Sequence, residues 1–95
     1  MFEKVINTFK NNKEILAVYV LSDMKKILGQ DIQSETIKDV KFALEEFKKS
    51  LDFDYITFNI ANYTIIAFKY QQEIIIIFGV LNIKEPVIRI SIKSL

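Results

Sequence analysis

Two acidic pairs stand close enough in sequence to invite paired-carboxylate chemistry: Glu45 with Glu46, and Asp52 with Asp54. Such pairs work as general acid and base, or hold a hard cation, when a histidine or a third ligand converges on them. The chain contains no histidine and no cysteine. Their absence removes the usual general base of acyl transfer, the thiolate nucleophile, disulfides and the common structural zinc sites together. With Glu45 and Glu46 on a solvated helix face and Asp52 and Asp54 in a connecting loop, the four read as solvated charge. The two glycines, Gly29 and Gly79, cannot build a phosphate-cradling G-x-x-x-x-G-K or G-x-G-x-x-G loop. Arg89 is the only arginine among thirteen basic residues. It is the sole candidate for a finger reaching into a partner's phosphoryl group, and the plainer reading is a salt-bridged side chain. No catalytic residue, cofactor or metal is expected, and the chain is read as a non-enzyme.

Composition favours contact with protein over other partners. The formal net charge of +1 creates no field to draw nucleic acid or an anionic membrane. A single arginine leaves little bidentate recognition of phosphate or guanine. Ninety-five residues make one domain, 1–95, and a chain of this size buries only about 60 to 65 percent of its unfolded surface. Yet 51% of the residues are hydrophobic, more than a small monomer hides comfortably. Self-association is the simplest outlet. The first ten residues, with Glu3 and mixed charge, lack the basic and apolar regions of a signal peptide, so a cytoplasmic protein is expected. The run Ile74 to Leu81 is wholly apolar but far short of the roughly 20 residues that a spanning helix needs.

These residues must be positioned by elements that hydrophobic periodicity locates. Phe2, Val5, Ile6 and Phe9 fall on one side of a short first helix. Ile15 to Leu21 is a strand apolar on both faces, and Ser22 to Lys26 turns into a weaker strand, Ile27 to Ile32. Ser34 is a credible N-cap for a second helix running to about Leu51, with Glu35 and Asp39 near its start and Lys48 and Lys49 near its end. Ile37, Val40, Ala43, Leu44, Phe47 and Leu51 form its buried stripe, while Phe42 falls about 140° from Ile37 on the far side. Three strands follow: Tyr55 to Ile60, half-buried, then Thr64 to Tyr70, then Ile74 to Leu81, again apolar on both faces. Short links make them antiparallel hairpins. Doubly apolar strands belong in the middle of a sheet with cover on both sides. The expected architecture is therefore an α/β (α+β) domain with a five-stranded antiparallel sheet in the order 2-1-5-4-3 and helices on both faces. For Pro86 to Leu95, the alternation of Ile88, Ile90 and Ile92 favours a strand, whereas Pro86 suits the first turn of a helix.

This succession, with "FEKVINTF" before "ILAVYVLSDMKKILG" and with "YQQEIIIIFGVLNIKEPVIRISIKSL" at the end, resembles the roadblock family of dynein light chains and their bacterial and archaeal relatives. The resemblance implies a roadblock-like (profilin-like) layout and dimers formed through the second helix and the third strand across a two-fold axis. It also implies a platform for small GTPases or for motor and signalling assemblies. Partners would be a second copy of the chain or another roadblock-like chain, with a small Ras-like GTPase as a further one. On this sequence the pairing surface would be Ser34 to Leu51 and the edge strand Tyr55 to Ile60. Phe42 is the leading interface residue, with Lys38 beside it and Lys41 and Glu45 available for ion pairs between helices. Tyr55, Thr57 and Asn59 are either solvated sheet positions or the rim of that interface. The competing readings are a small ligand-binding module of sensor type, with a pocket between sheet and helix, and an obligate subunit of a hetero-oligomer.

Overall fold

The computed structural model describes every residue from Met1 to Leu95. The elements are α1 (Glu3–Phe9), β1 (Ile15–Val20), β2 (Lys25–Gly29), α2 (Ser34–Ser50), β3 (Tyr55–Ile60), β4 (Tyr63–Tyr70), β5 (Glu73–Gly79) and α3 (Glu85–Lys93). The five strands form one sheet in the order β2-β1-β5-β4-β3, and every neighbouring pair is antiparallel. Fold class and strand order are those that the doubly apolar strands and short links dictate.

Alternation along the strands divides the interior into two apolar layers. Ala17, Tyr19, Ile65, Ala67, Ile74, Ile76 and Phe78 face α2, where Val40 and Leu44 meet them. Val18, Val20, Ile66, Phe68, Ile75 and Ile77 face the other way, onto Val5 and Phe9 of α1 and Ile88 of α3. The four isoleucines Ile74 to Ile77 thus serve both layers in turn. β4 is buried on both faces as well, so three central strands, not two, lie fully between the helical layers.

Several boundaries differ from the sequence-based expectation. β2 starts at Lys25 and stops at Gly29, two residues earlier and three residues sooner than Ile27 to Ile32. Gly29 adopts φ +89°, and a Cβ there would lie 2.2 Å from the Leu16 carbonyl oxygen, so the strand ends where only glycine fits. Ile32 is instead buried in the following loop, its N–H donating to the Tyr19 hydroxyl at 3.1 Å. At the start of α2, Gln33 holds the N-cap position and Ser34 is already helical, with no side-chain cap. The last strand ends at Gly79 rather than Leu81. The segment after Pro86 is helical: Ile88 is buried, Ile92 half-buried and Ile90 67% exposed, the spacing of a helix face and not of a strand.

α2 departs from its expected stripe at one end. Val40 and Leu44 are buried and Ile37 and Ala43 half-buried, but Phe47 and Leu51 are exposed by 36% and 59%. The C-terminal turns of the helix reach the margin of the sheet, where less strand lies beneath them. There the Phe47 ring meets Phe58 of β3 edge-on, with centroids 5.6 Å apart.

Candidate functional site

Both margins of the sheet are open, and they are built differently. β2 carries Lys25 and Lys26, and its register with β1 shifts between Val18 and Tyr19. Charge and irregular pairing are usual means by which proteins blunt an exposed edge. β3 has neither. Its six residues, Tyr-Ile-Thr-Phe-Asn-Ile, contain no charge, no glycine and no proline, and pair with β4 without a break from Tyr55↔Phe68 to Ile60↔Tyr63.

The hydrogen-bond phase of β3 can be read from one anchor. The Lys69 N–H donates to the Asp54 carbonyl at 2.9 Å, and in an antiparallel ladder a residue's N–H and C=O point the same way, alternating along the strand. Asp54, Ile56, Phe58 and Ile60 therefore turn their main-chain groups toward β4. Tyr55, Thr57 and Asn59 turn theirs outward, giving the edge three free donors and three free acceptors.

Side chains alternate across the two faces of this edge. Ile56, Phe58 and Ile60 lie against the α2 layer and remain half-buried. Tyr55 packs in the opposite layer, while Thr57 and Asn59 are exposed. The Tyr55 hydroxyl donates to the Glu85 carboxylate of α3. Arg89, one turn further on, donates from Nε to the same carboxylate at 2.9 Å and lies 5.2 Å over the Tyr55 ring. Burial, and then the hydrogen bond to Glu85, push the Tyr55 hydroxyl up to about 12, against the opposing pull of Arg89. Arg89 in turn is held above its ordinary value by Tyr55 and then by Glu85. Arg89 is thus engaged within its own chain, tying α3 to the edge strand.

The residues expected to form one interface fall on two separate surfaces. Phe42 is 67% exposed at the outer pole of α2, about 140° around the helix from Phe47 at about 100° per residue. Lys38, Lys41 and Glu45 lie about 120° to 180° from Phe47 on the same count. Glu45, with Lys48, borders an open depression formed with Leu21, Ser22, Gln72, Glu73 and Ile74. This flank looks toward the end of β1 and the β4–β5 turn, not toward β3. Lys41 is half-buried rather than free. The helix residue that does stand beside β3 is Phe47, which periodicity assigns to the core. Nothing in a helical period shows where the sheet beneath a helix runs out.

The acidic pairs hold no metal-like cluster: no three carboxylates converge anywhere in the chain. Glu46 pairs with Lys49 at 3.2 Å, and Asp52 and Asp54 both approach Lys69, at 3.6 and 3.7 Å, all largely exposed. Every buried side-chain polar atom has a hydrogen-bond partner. A second open depression is bordered by Phe42, Glu45, Glu46, Lys48 and Lys49. No helix is long and apolar enough to cross a membrane.

No protein-family model matches this sequence, and no curated protein is significantly similar to it.

Proposed function

We propose that this chain is a non-enzymatic interaction module that dimerises by pairing β3 with β3 of a second copy. In this reading it serves as a scaffold or regulatory partner for a small GTPase or a signalling or motility assembly in the cytoplasm. The observation that carries the pairing is the edge itself, unblunted, regular and uncharged, where the opposite edge is blunted by charge and by a register shift.

The phase of the edge selects a register. A two-fold axis through Thr57 sets Thr57 against its own copy and Tyr55 against the second copy's Asn59. Each of those three facing pairs exchanges two hydrogen bonds, about six in all. On the α2 face the same register sets Ile56 beside the second copy's Phe58, and the exposed part of Phe47 extends that apolar strip on both sides. An isologous contact of this kind uses one patch twice, as two-fold symmetry requires. The GTPase and assembly roles rest on the resemblance to the roadblock family in order of elements and layout.

Thr57→Pro tests the pairing. It removes an outward N–H from the middle of the edge and leaves the β4 ladder intact, a place where strands tolerate proline. Light scattering on micromolar wild type should give twice the 11.1 kDa chain mass, and the variant should fall to the single mass while keeping its circular dichroism. Wild type at the single mass, or an unchanged dimer in the variant, refutes the pairing. Binding of a small GTPase to the wild-type dimer, lost in the variant, tests the platform role.

A further inference from the structure

The Tyr55–Glu85–Arg89 cluster behind the edge strand is open on one side. Tyr55 stands opposite Phe68 of β4, which is buried, so the β4 flank of its ring is closed. Arg89 lies 5.2 Å over that ring with its side chain 52% exposed, and therefore covers it from the open flank. It follows the buried Ile88 directly, about 100° further around α3, which turns it over the outer margin of the sheet. Its Nε and Nη2 both engage the Glu85 carboxylate at 2.9 Å. The N–H groups of Nη1 are left for a further acceptor. We propose that this acceptor is the side-chain carbonyl of Asn59 in a second copy, which completes the cluster and makes α3 part of the dimer contact.

This inference rests on the pairing of β3 with β3 about Thr57. In that register the second copy's Asn59 stands opposite Tyr55, with Cα atoms about 5.5 Å apart. Both side chains project to the face that carries α3, because Tyr55 and Asn59 are an even number of residues apart on their strand. Asn59 is exposed in the single chain. Four residues from Tyr55, about 13 Å along the strand, it is too far away to reach Arg89 of its own chain. Only the second copy's Asn59 fills the open flank, and two-fold symmetry makes the contact twice.

The side chain at position 59 suits the place. Glu85 and Arg89 already balance one another in charge, so an added acid would face Glu85 and an added base would face Arg89. An amide is neutral, accepts at its carbonyl and donates at its NH2 group, and so satisfies both members of the ion pair. A guanidinium donating to a carbonyl is a charge-assisted hydrogen bond, stronger than a neutral one.

Mixing two variants tests the contact. Asn59→Ala removes the acceptor and Arg89→Met the donor, so neither homodimer keeps any copy of it. A mixed dimer keeps one, between Arg89 of the first variant and Asn59 of the second. Both positions are exposed, so both variants keep the fold. Native mass spectrometry of the mixture separates the three dimers by mass. The squared amount of mixed dimer over the product of the two homodimers should exceed its random-mixing value by at least about tenfold. A general weakening of the edge by either substitution acts once per copy and cancels from that ratio, which leaves the contact alone to move it. Wild type that stays at the single mass refutes the edge pairing and this contact with it. Variants that dimerise and mix at the random value overturn the contact and leave the pairing standing.

Discussion

The Tyr55 hydroxyl lies between an acid and a base of α3, and its position decides how the edge strand is held from behind. As a neutral donor to Glu85 it is favoured by burial and by the carboxylate, which raise its folded-state value to about 12. The unfolded value is near 10. A value raised on folding means that the contact stabilises fully below pH of about 10 and that this contribution is lost as pH rises through about 12. Tyr55→Phe should therefore be less stable than wild type by about 1 kcal/mol at neutral pH. Chemical denaturation at increasing pH should show the gap closing between about 10 and 12, whereas a constant gap across that window would exclude the hydroxyl as its source. Strand alternation alone places Tyr55 opposite Ile56. It does not disclose Glu85 and Arg89, which come from 30 and 34 residues further along the chain.

Among the elements, the turns carry the least sequence information. Gln71 and Gln72 join β4 to β5 with φ of +50° and +70°, left-handed values at both centres of a two-residue hairpin. Such turns favour asparagine followed by glycine because other side chains crowd the backbone. Gln71→Asn with Gln72→Gly should raise stability by about 1 kcal/mol, measured as a higher denaturant midpoint with an unchanged slope. A neutral or lower midpoint would mean that the two glutamines make compensating contacts. The same weakness of local signals displaced the bounds of β2 and left the tail open between strand and helix. Gly29 ends β2 through a close approach to β1 that only pairing creates. The tail alternates like a strand, but Pro86 starts a helix whose Ile88 and Ile92 meet the sheet side while Ile90 faces water.

At the scale of the molecule, the sheet order was legible because it follows from two physical facts that the residues carry themselves. Strands apolar on both faces need cover on both faces, and short links force neighbours to be antiparallel. The candidate surface was only half legible. Alternation finds the open edge, but the division between the β3 margin and the Phe42 pole depends on how α2 is rotated over the sheet. That rotation places Phe47 at the margin and turns Phe42 away from it. Pairing through β3 is the central claim, and hydrogen exchange of individual amides tests it most directly. In a paired edge the Tyr55, Thr57 and Asn59 amides should exchange as slowly as those of Ile56, Phe58 and Ile60, which bond to β4, and should lose that protection on dilution. Rapid exchange of the three outward amides at concentrations well above micromolar, with the inward three protected, would contradict it.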